Sequence, residues 1–204
     1  MIAFDASVIE AFKALWQRTA ILDWSAVFFA TYFPFLILLL VLALFFQAKS
    51  WRLRLWYIAN TTLAVIISRG IITEGIRFLY ARPRPFIALR FSPLLSEFNP
   101  SPAFPSGHAA TLFAVAFMLL FFRRKWGYWF LGFAFINALA RVYAGVHWPT
   151  DIIGGILTGF VSAGVVWFLL LRNNRKILLP KEEESEEEEN EEKPGDSLFP
   201  KVPE

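Results

Sequence analysis

Three short stretches of this chain gather arginine, histidine, serine and aspartate side chains. The first reads Arg77-Phe78-Leu79-Tyr80-Ala81-Arg82-Pro83-Arg84-Pro85 and the second Pro105-Ser106-Gly107-His108. The third joins Ala140-Arg141, after five residues, to His147-Trp148-Pro149-Thr150-Asp151. The sequence contains 2 His, and both fall here. Guanidinium groups grip phosphate oxygens through paired, charge-assisted hydrogen bonds. Arg77, Arg82, Arg84 and Arg141 supply such groups, and Pro83 and Pro85 stiffen the backbone that aims Arg84.

Pro105-Ser106-Gly107 stands where a long apolar run begins. A helix starting there offers unpaired N–H groups and a partial positive charge, a ready anion site. Gly107 admits an oxygen close to the backbone, Ser106 adds a hydroxyl, and His108 at the rim is placed to give or take a proton. His147 and Asp151 are four apart and share a face if the stretch is helical. Pro149 also fits a turn leading into a helix, with Asp151 at its start. In either case an Asp on one ring nitrogen fixes the tautomer and makes the other nitrogen a better nucleophile. Two His and one Asp could ligate zinc, but the neighbouring arginines would repel it. Phosphoryl transfer needs positioning and charge stabilisation, so neither metal nor cofactor is expected.

The elements that must carry these stretches are written in the composition. Of 204 residues, 56% are hydrophobic and 18% aromatic, above the roughly 45–50% apolar content of soluble domains. The formal net charge of +3 conceals a division. Residues 181–204 hold 11 acids and 3 Lys, leaving 17 bases and 6 acids in residues 1–180. Six acids cannot solvate a globular surface of that size, so the body is expected in a membrane. Its bases adjoin long apolar runs, which favours lipid headgroups or anionic lipids over nucleic acid as partners. The absence of Cys excludes disulfides, thiolate metal sites and cysteine catalysis.

A spanning helix needs about 20 apolar residues. Runs over 24–46, 55–76, 106–122, 126–146 and 152–171 predict an all-α membrane bundle of five spans. In the last run, Gly155 and Gly159 have the small-xxx-small spacing that lets helices approach closely. Three basic clusters mark one face as cytoplasmic: Lys49/Arg52/Arg54, Arg123-Arg124-Lys125 and Arg172/Arg175/Lys176. The N-terminus and the phosphate-binding stretches then lie outside. Arg77, Arg82, Arg84 and Arg90 there contradict the charge rule and call for another reason.

Residues 1–22 predict an amphipathic interfacial helix, with Phe4, Val8, Phe12, Leu15 and Trp16 at helical spacing. An ordinary packing helix fits the same pattern. Residues 23–176 form the expected membrane domain, and residues 177–204 an acidic, disordered, cytoplasmic tail. Arg69 and Glu74 lie inside the second span. Such charges are functional candidates, although pairing with each other or with a neighbouring helix also explains them.

The three stretches resemble the signature of the type-2 phosphatidic acid phosphatase superfamily: Lys, six residues, Arg-Pro; Pro-Ser-Gly-His; Ser-Arg, five residues, His, three residues, Asp. The spacing is kept throughout, with Arg77 in place of the Lys and Ala140 in place of the Ser. The resemblance implies that His147 attacks phosphorus, Asp151 orients it, and His108 protonates the leaving oxygen. It also implies that Arg77, Arg84, Arg141, Ser106 and the Gly107 N–H hold the phosphate. Arg82 has no motif role; contact with a second phosphate and solvation of the rim both remain open. Phe4-Asp5, Leu22-Asp23 and Arg82-Pro83-Arg84-Pro85-Phe86 are similar to bacterial undecaprenyl-diphosphate phosphatases of this superfamily. The resemblance thus implies hydrolysis of a lipid diphosphate at the extracytoplasmic leaflet of the plasma membrane. Alternatives are a phosphatidic acid or phosphatidylglycerophosphate phosphatase, a lipid phosphotransferase, or a non-catalytic lipid-phosphate binding or flipping protein.

Overall fold

A computed structural model of the chain describes residues 3–95 and 101–171. The expected acidic tail and the basic cluster at 172–176 lie outside the described residues. Within them the fold is all helical, with no strand. In order, the elements are α1 (Ala3–Lys13), α2 (Ala20–Thr31), α3 (Phe33–Phe46), α4 (Trp51–Val65), α5 (Glu74–Leu79), α6 (Pro85–Ala88), α7 (Gly107–Phe122), α8 (Arg124–Tyr143) and α9 (Pro149–Val166). A π-helical segment, Ile66–Thr73, joins α4 to α5 in one rod of 29 residues. A second, Trp167–Leu171, extends α9.

Two of these rods, Trp51–Leu79 and Pro149–Leu170, are long and apolar enough to cross a membrane, and α2 with α3 makes a third if counted as one broken span. That pair bends by 47°. The cause is Pro34, which has no N–H to give to the carbonyl of Ala30 one turn back. The carbonyl is taken instead by α8, where Arg141 Nη1 donates at 3.3 Å and Asn137 Nδ2 at 3.4 Å. The sequence run 24–46 therefore folds as two helices around Tyr32 rather than as one straight span. At 16 residues, α7 reaches only about 24 Å.

The core of the bundle is α7 packed against α8 and α9. Small residues allow the close approach to α9: a Cβ on Gly155 would stand 2.6 Å from Ala109 Cβ and 2.7 Å from the Ser106 carbonyl. Lengthening that side chain would push apart the two helices that carry the second and third stretches. On the other side, α3 is apolar all round, and Phe35, Leu38 and Leu39 stay exposed. Helices apolar on every face are those of membrane or deep-core segments.

The N-terminal helix ends at Lys13, not near residue 22, and the chain turns through Gln17 at φ 61° before α2. Val8, Ile9 and Phe12 pack on the core. Trp16 Nε1 donates to the Tyr143 carbonyl at 3.0 Å, and Tyr143 Oη donates to Asp23 Oδ1 at 2.8 Å. These bonds tie the turn after α1 and the start of α2 to the end of α8 where it gives way to α9.

Candidate active site

At that end, short connections set each side chain. α8 stops in a Schellman motif: Val146 N–H reaches the Arg141 carbonyl at 3.3 Å, and Gly145 N–H reaches Val142 at 3.0 Å. Gly145 takes φ 76°, and a Cβ there would also meet Phe91 at 2.7 Å. This turn fixes His147 relative to Arg141. Trp148 then caps α9 and Pro149 opens it, so His147 and Asp151 do not share a continuous helix face. Asp151, in the first turn, accepts the Trp148 N–H on Oδ2 at 2.8 Å. The same Oδ2 lies 3.4 Å from His147 Nδ1, which leaves Nε2 as the nitrogen facing away from the carboxylate. The turn was one of the two conformations the sequence allowed.

The second stretch is tied to the third by backbone, with Ser106 N–H donating to the Asp151 carbonyl at 2.9 Å. The first stretch is tied to the second by Arg77, whose Nε and Nη2 donate to the Pro105 carbonyl at 3.3 and 3.0 Å. Arg84 donates through Nε to the Ser101 carbonyl at 3.0 Å and through Nη2 to Ser101 Oγ at 2.9 Å.

The result is a cavity of ≈ 460 Å³. Its polar end is lined by Arg77, Arg84, Arg141, Gly107, His108 and His147, and its flank by Pro34, Phe35, Ile37, Leu38 and Val41 of α3. The three arginines are 7%, 5% and 4% exposed. His147 is buried, whereas His108 is exposed. Ser106 Oγ is buried and has no hydrogen-bond partner among the described residues. Burial, followed by the charges of Arg141, Arg84, His108 and Arg77, holds His147 well below the usual histidine range. Burial with Arg141 and Arg77 lowers Arg84 to about 10, so it remains a cation at neutral pH. Such a set can receive a phosphoryl group at a neutral imidazole with guanidinium neutralisation of the oxygens.

Arg82 stands elsewhere. Its Nη1 donates to Asp151 Oδ1 at 2.7 Å and to Thr150 Oγ1 at 2.6 Å, and its Nη2 to Asp5 Oδ2 at 2.6 Å. Asp5 Oδ2 also accepts the Thr150 hydroxyl at 2.7 Å. The guanidinium lies 5.4 Å from the Trp148 ring centroid. Beside the two roles left open for Arg82, contact with a second phosphate and solvation of the rim, the structure shows a third: a partly buried guanidinium bonded behind Asp151. Arg84, by contrast, lines the cavity, with its backbone at φ −71° and ψ 158°. Asp5 and Ser101 are site residues that sequence reasoning missed. Asp5 sits one helical turn before Ile9 on the buried face of α1, and an acid in that register was the available signal. Arg69 and Glu74 pair with each other, and Arg69 also lines the cavity.

A profile of the PAP2 superfamily matches residues 55–175, which include every one of the three stretches. The chain belongs to the PAP2 superfamily. It is similar to an undecaprenyl-diphosphatase of Sulfolobus acidocaldarius, 32% identical over 154 residues covering 74% of this chain and 72% of that protein. It is also similar to the undecaprenyl-diphosphatase BcrC of Bacillus subtilis, 28% identical over 156 residues covering 76% and 78%. Among solved structures, Aquifex aeolicus LpxE superposes with a TM-score of 0.62 at 24% identity, over 81% of this chain and 95% of that one. This PAP2 protein is thus a membrane enzyme of the lipid-phosphatase class.

Proposed function

We propose that the protein hydrolyses a lipid diphosphate, preferentially undecaprenyl diphosphate to undecaprenyl phosphate, through a phospho-His147 intermediate. One observation carries this reading: buried arginines and a neutral histidine close one end of a cavity whose flank is the apolar α3. The headgroup enters the cradle and the chain lies along α3. His147 Nε2 attacks the terminal phosphorus while Arg77, Arg84, Arg141, the Ser106 hydroxyl and the Gly107 N–H hold its oxygens. A phosphate oxygen gives Ser106 Oγ the partner it lacks. Asp151 holds Nδ1–H and supports the charge that develops on the ring. His108, exposed at the rim, protonates the leaving oxygen and then takes a proton from the water that releases phosphate.

The relatives named undecaprenyl-diphosphatase support the substrate. The basic loops after α3 and α7 support five spans with the site on the extracytoplasmic side, and an α1 lying at that interface. The N-terminus and the three stretches are then outside and residues 177–204 inside. The test is phosphate release by purified protein in detergent containing chelator, on undecaprenyl diphosphate, phosphatidic acid and phosphatidylglycerophosphate. The diphosphate is expected to turn over fastest, with a 32P-labelled terminal phosphate trapped on His147 after acid-free quenching. Faster turnover of a glycerolipid monoester would overturn the substrate, and loss of activity to chelator would overturn the metal-free mechanism.

A further inference from the structure

Arg69 belongs to none of the three stretches, yet it reaches the cavity they form. We propose that Arg69, held by Glu74, binds the second phosphate of a diphosphate substrate, the one that departs with the lipid. The proposal rests on the phosphatase reading above and deepens it.

Position is the first argument. A Cβ on Gly107 would lie 2.5 Å from Arg69 Nε. The guanidinium therefore occupies the space of a missing side chain, against the start of α7 and beside His108. Depth is the second. The Arg69 side chain is 41% exposed, while Arg77, Arg84 and Arg141 are 7%, 5% and 4% exposed. Three cations are deep with His147, and a fourth stands at the mouth. A substrate with its terminal phosphate at His147 extends its bridging oxygen and inner phosphate toward that mouth.

The backbone gives the third argument. Arg69 lies in the π-helical segment Ile66–Thr73, and such wide turns recur at functional sites because they re-aim side chains. Ser68 Oγ pins the segment by donating to the Ala110 carbonyl at 3.0 Å. Glu74 pairs with Arg69 and accepts from Arg77 Nη1 at 3.3 Å, so one carboxylate joins the mouth cation to the deep ones. Stability is a weak reason for this pair. Half-exposed ion pairs contribute little, and charges within a span are costly to keep.

The chemistry separates two substrate classes. In a diphosphate, His147 Nε2 forms a bond to the terminal phosphorus as the bond from that phosphorus to the bridging oxygen breaks. The electron pair stays on the bridging oxygen, which leaves as part of a lipid monophosphate, and His108 supplies its proton. Arg69 neutralises the charge that this inner phosphate gains. A monoester releases an alcohol and presents no inner phosphate, so Arg69 has nothing to hold.

Farnesyl diphosphate and farnesyl monophosphate differ by that one group and serve as probes for the purified full chain. Arg69→Gln is expected to lower the ratio of their kcat/KM values, diphosphate over monophosphate, by about 10–100-fold, the loss of one hydrogen bond to a charged group. Arg69→Lys should recover part of the ratio. A ratio that Arg69→Gln leaves unchanged, whether both activities fall or neither does, overturns the proposal while leaving the phosphatase reading intact. Wild-type protein that cleaves neither compound overturns both. Should Arg69→Gln not fold, inhibition by methylenediphosphonate and by phosphate decides the matter. Wild type should prefer the diphosphonate and Arg69→Lys should prefer it less; no preference in wild type overturns the proposal.

Discussion

The two sides of His147 are built from the same residue types to opposite ends. In front, toward the cavity, Arg77, Arg84 and Arg141 crowd positive charge around a neutral imidazole, and Ser106 Oγ has no partner among the described residues. Behind, Arg82 stands between the carboxylates of Asp5 and Asp151, and with the Thr150 hydroxyl the four close on one another at 2.6–2.7 Å. The front opens on a cavity. The back is complete already, with its two carboxylates fully buried and Arg82 10% exposed. Preorganisation of this kind lets a site stabilise developing charge without first rearranging. Arg82 and Arg84, two residues apart, belong to different sides.

The comparison is broken most severely at its centre. His147→Ala and Asp151→Asn are each expected to lower kcat by about 10⁴-fold, as loss of a nucleophile or of the group that sets its base does in related triads. Phosphate release by protein shown to be folded by circular dichroism measures this. On the front, Arg84→Ala or Arg141→Ala should lower kcat/KM by about 10²–10³-fold, the scale of losing one group that meets developing charge. Both should also weaken inhibition by orthovanadate, read from its inhibition constant.

Behind the imidazole the expected loss is smaller and of another kind. Asp5→Asn and Arg82→Gln should each lower kcat by about 10–100-fold, the usual effect of partners one layer behind a reacting group. KM should be nearly kept, because neither residue faces the cavity. The double variant should be no worse than the worse single one, since both act through one chain of bonds. Additive losses in that cycle would mean that Asp5 and Arg82 act separately.

The mildest probe is pH. Attack needs the neutral ring, and burial with the arginine charges lowers the His147 pKa. A lowered pKa keeps the neutral form present further into acid, so the acid limb of kcat/KM should lie below pH 6.5. Arg84→Gln removes one repelling charge and should move that limb upward, while Arg84→Lys should not. A limb above 6.5 in wild type would mean that the front is less positive than its geometry implies.

Much of this was legible in the residues themselves. Composition and apolar runs specify a helical membrane bundle, because about 20 apolar residues have few other uses. The spacing from Arg77 to Arg84 and from Arg141 to Asp151 was enough to assemble the cradle, since each motif is local and ends at a helix terminus. Even the turn at Gly145 follows local rules, a glycine where α8 must stop. The bend at Tyr32 was less visible: Pro34 signals it, but the break also needs Arg141 and Asn137 to take the released carbonyl.

Long-range pairing was decided only by the fold. Asp5 meets Arg82 across 77 positions and Thr150 across 145, and no periodicity reports such distances. Arg69 against Gly107 is likewise a meeting of two helices, permitted by one absent Cβ. The amino-acid sequence by itself determined which groups could hold and transfer a phosphate, because their chemistry and local spacing are properties of short segments. The tertiary structure decided which arginine faces the cavity and which is buried behind it. The physical reason is that a side chain's direction and partners depend on how distant helices pack: Arg82 meets Asp5 and Asp151, whereas Arg84 meets Ser101 and lines the cavity.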